Sequence, residues 1–355
     1  MKYIIILSIF VIQVTFAQTS FKSEEVNYWN IADSVHIFGT LTMPESGSKF
    51  PAVILITGSG TQDRDETIFG HKPFKIIAEY LSARGFAVLR VDDRGAGKTT
   101  IGKNPKAITS ENFAKDVESG INFLKTRTEI NPKKIGLIGH SEGGMIAPMV
   151  AAHSKDVAYI VLLAGTGVSG EVVLQKQLTY QIDALPNIPV NFKQKYAQYV
   201  ANVLKAYKQA NSQSEALVDL ERLTKNWRDS LTTEDTKYAG NLANIYYTFK
   251  NIAIDWGRFF IRYDPKTALF KTKCPVLVIN GEKDHQVFPE ENLAGIEEGL
   301  KKAKNKHYKI VKLEGLNHLF QHSVTGLPQE YPTIKEDFAP EALQLMSDWL
   351  SENIN

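Results

Sequence analysis

Cysteine is almost missing from this chain. Cys274 stands alone, so no intrachain disulfide can brace the fold, and stability must come from a packed core. Cys274 opens the apolar run Pro275-Val-Leu-Val-Ile279 and reads as a small buried hydrophobe rather than a nucleophile. An excess of one charge is missing too: 41 Lys and Arg face 39 Asp and Glu, a net of +2. That balance gives no electrostatic footprint for nucleic acid or an anionic membrane. Internal repeats and low-complexity tracts are also absent. At 355 residues, 43% hydrophobic and 23% charged, the chain has the make-up of a soluble globular protein. It has room for one large α/β domain with an insertion, or for two domains.

Residues 1–17 depart from that make-up. Lys2 precedes Tyr3-Ile-Ile-Ile-Leu-Ser-Ile-Phe-Val-Ile12, then Gln13-Val-Thr-Phe-Ala17-Gln18. A positive start, a short apolar core and small residues at Thr15 and Ala17 read as a secretory signal peptide cut after Ala17. An uncleaved anchor is the alternative, but the apolar core is too short to span a bilayer comfortably. No cysteine near the cut offers a lipid attachment point. The expectation is an exported protein, periplasmic or extracellular, with no membrane span once the signal is removed.

Strand and helix patterns then alternate. Residues 23–44 read as an antiparallel hairpin, and 51–58 as the first strong buried strand. A helix over 73–84 stops at Gly85, and a strand follows at 86–91. Phe113, Val117, Ile121 and Leu124 mark the next amphipathic helix. Strands at 135–138 and 157–163 come after it. The rhythm resumes with strands at 274–280 and 308–313 and helices over 291–304 and 340–350. Such alternation predicts a mostly parallel sheet with helices on both faces. Residues 168–265 break the pattern, being long, polar and aromatic, and read as a helical cap inserted between 18–167 and 266–355. Within it, Trp256, Phe259, Phe260 and Tyr263 recur at helical spacing; they are expected to form cap core or to wall a substrate pocket, different rings doing different things.

The chain is organised around Lys134-Ile-Gly-Leu-Ile-Gly-His-Ser-Glu-Gly-Gly144: a buried strand, G-x-S-x-G, then a helix. The turn from strand to helix forces Ser141 into a strained backbone conformation, and Gly139 and Gly143 let the two elements approach. Its hydroxyl is then held out beside a helix N-terminus, with the Glu142 N–H free to face a developing oxyanion.

In parallel sheets, ligands sit beyond the carboxyl ends of strands. Asp284 and His318 lie just after the strands at 274–280 and 308–313, and Ser141, Asp284, His318 is the chain order of an α/β-hydrolase triad. His318 would take the Ser141 proton and later give it to the leaving group, while Asp284 would fix the imidazole. No metal or cofactor is required. Glu282 is a rival acid, and His285 and His322 are rival bases. His140 sits inside the turn and cannot easily reach its neighbour's hydroxyl. The glycine-rich loop Thr57-Gly-Ser-Gly-Thr61 should give the second oxyanion donor; Ser59 N–H is chosen, with Gly60 next. Asp92 and Asp93 begin a strand-end loop whose ion pairs shape the site. Asp92 and Asp63 occupy the glycine positions that a phosphate loop and a dinucleotide fingerprint would need, so neither motif is present.

On these residues the chain resembles bacterial α/β-hydrolases of the serine aminopeptidase-like group, especially EstD-type carboxylesterases. The matching stretches are Thr57-Gly-Ser-Gly-Thr-Gln-Asp-Arg-Asp-Glu66, Val91-Asp-Asp-Arg-Gly-Ala-Gly-Lys98, Gly139-His-Ser-Glu-Gly-Gly144, 256–265, 281–287 and 315–320. The resemblance is weakest in 170–250. It implies a helical cap, a Ser141–Asp284–His318 triad and hydrolysis of short-chain acyl esters as small-molecule substrates. Members often carry an additional N-terminal domain, which the stretch before Pro51 is too short to hold. A peptidase of the same fold is the alternative; it would need a cap carboxylate for the substrate ammonium, with Glu171, Asp183 and Glu221 as candidates. A non-catalytic binding protein on this scaffold is the third reading, although no triad residue is lost. The oligomeric state is not encoded in any of these motifs.

Overall fold

The computed structural model of the protein describes residues 20–105, 107–240 and 244–354, so the expected signal peptide lies outside them. Eight strands form one sheet: β1 (Phe21–Asn30), β2 (Val35–Pro44), β3 (Phe50–Ile56), β4 (Ala87–Val91), β5 (Ile130–His140), β6 (Tyr159–Leu163), β7 (Val276–Gly281) and β8 (Tyr308–Leu313). Their order is β1-β2-β4-β3-β5-β6-β7-β8. The hairpin β1–β2 joins β4 antiparallel, and every pairing from β4 to β8 is parallel.

Period-two burial explains why helices cover both faces. In β3, Ala52, Ile54 and Ile56 point to one core, while Val53 and Leu55 point to the other. Helix α1 (Pro73–Ser82) and the closing helix α12 (Pro340–Asn353) cover one face through Phe74, Ile77, Leu81, Met346 and Leu350. Helices α2 (Ser110–Thr126), α3 (Glu142–Ala151) and α11 (Pro289–Lys302) cover the other through Ile121, Leu124, Met145, Ile146, Ile296 and Leu300.

Between β6 and β7 the chain is helical: α4 (Gly170–Asp183), α5 (Val190–Gln209), α6 (Gln213–Asp229), α7 (Asp235–Ala239), α8 (Ile245–Ile252), α9 (Asp255–Arg262) and α10 (Lys266–Leu269). Rings bury α5 against α6 and α8: Tyr199 stacks on Trp227 at 4.8 Å and meets Phe249 edge-on at 5.6 Å. Tyr247 of α8 stays outside this packing and is 63% exposed. Among the described residues, no helix is long and apolar enough to cross a membrane.

Candidate active site

β5 ends at His140 and α3 begins at Glu142, leaving Ser141 between them at φ 54°, ψ −115°. A side chain held in such a sparsely populated region costs about 1–3 kcal/mol, and the surrounding packing must over-determine it. The packing is close. A Cβ on Gly139 would lie 2.0 Å from the Gly143 carbonyl oxygen, and one on Gly143 would lie 2.1 Å from that of Ile56. The Ser141 N–H donates to the Leu163 carbonyl at 2.8 Å. Ser141 thereby reaches the wall of a cavity of about 350 Å³.

Asp284 and His318 occupy the loops after β7 and β8. Asp284 is fully buried. Its Oδ1 accepts the N–H groups of Gln286 and Val287, each at 2.8 Å, and its Oδ2 faces His318 Nδ1 at 2.8 Å. With the carboxylate accepting from Nδ1–H, the Nε2 of a neutral ring is left as the basic nitrogen. The Asn317 Oδ1 accepts from the N–H groups of Leu319 and Gln321, each at 2.9 Å, and so locks the turn that presents His318. Ser141 and His318 line the same cavity. Among the described residues the Ser141 hydroxyl has no hydrogen-bond partner; nucleophile–base contacts commonly tighten only with substrate in place.

Ser59 and Glu142 both line this cavity, and among the described residues neither backbone N–H has an acceptor. Gly58 differs, because its N–H donates to Glu66 Oε1 at 2.6 Å. The loop can therefore offer Ser59 N–H to a substrate oxygen but not Gly58 N–H.

The side chains of His140, Glu66, Glu142 and Asp93 make contacts that no local spacing marks. His140 turns its ring away from Ser141: Nε2–H donates to the His318 carbonyl at 2.9 Å, and Nδ1 meets Glu66 Oε1 at 2.9 Å. Burial works to lower the His140 pKa, but the adjoining Glu66 carboxylate outweighs it and the net direction is up. Glu66 thus joins the oxyanion loop to the loop of the base. The Glu142 carboxyl accepts from Ser110 Oγ at 2.6 Å and from Trp256 Nε1–H at 2.8 and 3.0 Å. Burial raises its pKa, and hydrogen bonds from Ser110, Trp256 and Ser59 offset only part of the rise. Asp93 is pushed well above the ordinary carboxylate range by burial, against the Gln62 N–H and Thr57 hydroxyl that it accepts. The expected ion pairs of this loop are present: Arg64 grips Asp92 through Nε at 3.1 Å and a terminal nitrogen at 2.8 Å, and Arg94 pairs with Asp116 and Asp33.

The rivals lie elsewhere. His285 stacks on Tyr180 at 4.2 Å and bonds its hydroxyl and the Thr325 carbonyl, each at 3.0 Å. His322 pairs with Glu336 and Glu341. Glu282 is exposed and accepts the Gly315 N–H. Of the peptidase candidates, Glu171 pairs with Lys208 at 2.5 Å, while Asp183 and Glu221 are exposed. None of these residues lines the cavity, whose own carboxyls are Glu142, held by Ser110 and Trp256, and Glu66, held through Oε1 while its buried Oε2 has no partner among the described residues. Among the described residues, no group of three or more His, Cys, Asp or Glu is placed to hold a metal ion.

Comparison with known proteins bears on the family and the fold. The chain is 28% identical to esterase EstD of Thermotoga maritima over 283 residues, 79% of this chain and 57% of EstD. It is 32% identical to human protein phosphatase methylesterase 1 over 113 residues, 32% of this chain and 26% of that protein. The match thus spans little more than half of the first relative and about a quarter of the second. An esterase of Pyrococcus furiosus superposes with a TM-score of 0.56 at 17% identity, covering 94% of this chain and 92% of its own. The α/β hydrolase GrgF of a Penicillium species gives 0.54 at 17%, covering 94% and 99%. These two show a shared fold. The family described as having the alpha/beta hydrolase fold matches residues 51–320, and with the mostly parallel sheet and the serine turn already described, the chain belongs to that family.

Proposed function

We propose that the protein is an exported serine carboxylesterase that hydrolyses short-chain acyl esters through an acyl-enzyme. Ser141 attacks the ester carbonyl as His318 Nε2 takes its proton, and Asp284 holds the imidazolium that results. The tetrahedral oxygen is received by the N–H groups of Ser59 and Glu142, dipoles already fixed by the backbone. His318 then protonates the departing alkoxide, and water releases the acyl group by the reverse sequence. Residues 168–265 act as the cap, with Val173, Leu174 and Phe260 giving the cavity its apolar wall.

The observation that carries this reading is the Ser141 turn: a strained serine opens onto a cavity that also holds the Asp284-bound His318 ring and two N–H groups without acceptors. The name of the relative EstD supports ester over amide chemistry. Export rests on the sequence of residues 1–17. The test is a p-nitrophenyl ester series from acetate to octanoate with Ser141→Ala as control. Turnover confined to the unaltered enzyme is expected; no turnover of any ester, or equal turnover by the variant, overturns the reading.

A further inference from the structure

Two cavities meet at one indole. The first, about 350 Å³, holds Ser141 and His318. The second, about 510 Å³, combines the apolar Ile101, Ile108, Phe113 and Ile254 with the polar Thr61 and Asn251, and neither Ser141 nor His318 reaches it. Among the described residues, only Ser59 and Trp256 belong to both walls. Ser59 stands at the oxyanion position, so the Trp256 side chain is the partition between them.

That partition is fixed. The indole N–H donates to both oxygens of the Glu142 carboxyl, and the ring stacks on Phe260 at 5.7 Å with planes 16° apart. Glu142 is itself held by Ser110 from α2. Swinging the indole aside would leave a buried carboxyl short of a donor, which is costly.

Stereochemistry says which part of a substrate meets this wall. The oxyanion points at the N–H groups of Ser59 and Glu142, and the leaving oxygen must lie within reach of His318. The acyl substituent is left the apolar lining, which includes Trp256, whose indole is bonded to Glu142 beside the oxyanion position. Beyond the wall the charged groups are already engaged, Arg94 by Asp33 and Asp116, and Asp255 by Arg258. The far chamber therefore suits hydrocarbon.

We propose that Trp256 is the residue that sets acyl length: it closes the acyl side of the catalytic cavity against an apolar chamber able to take a longer or branched acyl chain. The proposal rests on the esterase reading and adds to it the specificity-determining residue and the chemical class of the adjoining subsite.

The experiment compares kcat/KM for p-nitrophenyl acetate, butyrate, octanoate and decanoate across four proteins. In the unaltered enzyme activity falls beyond butyrate. Trp256→Ala raises the octanoate-to-acetate ratio at least about tenfold, since each methylene admitted to an apolar pocket contributes a factor of about 10 or more. Trp256→Ala combined with Ile108→Trp, which refills the chamber, loses that gain. Trp256→Phe keeps a ring in the partition but loses the bond to Glu142, so it keeps the original ratio while lowering kcat for every ester. Trp256→Leu replaces the alanine variant should the latter fail to fold. A uniform loss across all chain lengths in Trp256→Ala overturns the proposal. So does a long-chain gain that survives Ile108→Trp, or a phenylalanine variant whose ratio shifts as far as the alanine one. An unaltered enzyme inert on every ester overturns the esterase reading itself, a result distinct from normal turnover with an unmoved ratio.

Discussion

The two halves of the cavity around Ser141 are built on different principles. On the sheet side, Ser141, Asp284 and His318 stand a few residues beyond the ends of β5, β7 and β8, and directional bonds fix their loops: Ser141 N–H to Leu163, Asp284 to two N–H groups, Asn317 to two more. On the helical side, Val173, Leu174, Ile252 and Phe260 meet the cavity through apolar surface, and Trp256 alone of these five is tied by a directional bond. Proton transfer and oxyanion binding need atoms held within a fraction of an ångström, which backbone anchored to a parallel sheet provides. Selection among acyl groups needs only shape, which packed side chains provide. Changes on the sheet side should therefore scale all substrates alike, and changes that open or fill space on the helical side should re-rank them.

The largest effect expected on the sheet side is Ser141→Ala. Turnover of every p-nitrophenyl ester should fall on the order of 10⁵–10⁶-fold with unchanged thermal unfolding, because the nucleophile is lost while its packing stays. A variant that kept activity on some chain lengths and lost it on others would break the division between halves. Asp284→Asn comes next, with about a 10⁴-fold loss in kcat, since an amide cannot hold the His318 ring in the tautomer that leaves Nε2 basic. Gly143→Ala should lower both stability, by about 1–3 kcal/mol, and kcat for all esters, because its methyl would meet the Ile56 carbonyl. Denaturant melts and steady-state rates on the same preparation check both.

The division also explains what could be read from sequence. The strand-end rule led to Ser141, Asp284 and His318, and the structure brings Ser141 and His318 to one cavity with Asp284 behind the ring, because strand ends are marked locally by apolar runs and glycine. Fold class was readable for the same reason: period-two runs alternating with amphipathic helices. The helical side carries no comparable marks. Helical spacing put Trp256, Phe259, Phe260 and Tyr263 on one stripe, yet Trp256 and Phe260 face the catalytic cavity while Phe259 and Tyr263 stack on each other. The Glu66–His140–His318 linkage was also unreadable, since its bonds span 74 and 178 residues and no spacing rule reaches that far.

A histidine that touches both halves sharpens the comparison further. His285 adjoins the candidate acid in sequence but stacks on Tyr180 of the cap. If it only braces the two halves, His285→Asn should change kcat/KM for acetate less than about tenfold and lower the unfolding midpoint slightly, as loss of one or two hydrogen bonds of about 1 kcal/mol each would. A loss comparable to that of Asp284→Asn would move His285 into the catalytic machinery.

The smallest expected effect is a pH dependence on the sheet side. His140 donates Nε2–H to the His318 carbonyl, and its Nδ1 lies 2.9 Å from Glu66 Oε1. The facing groups are Glu66, the His318 ring at 4.7 Å, and the Asp284 charge, which also favours the protonated ring. Because the folded pKa is raised above the unfolded value of about 6.5, this protonation stabilises the fold fully below that value. The contribution then fades as pH climbs through the folded pKa. The gap in unfolding midpoint between the unaltered protein and His140→Asn should thus be widest in mildly acidic buffer and narrow toward alkaline pH. A gap that is flat, or that widens with pH, would mean that His140 is held neutral and that its charge plays no part in the clasp between the glycine-rich loop and the His318 loop.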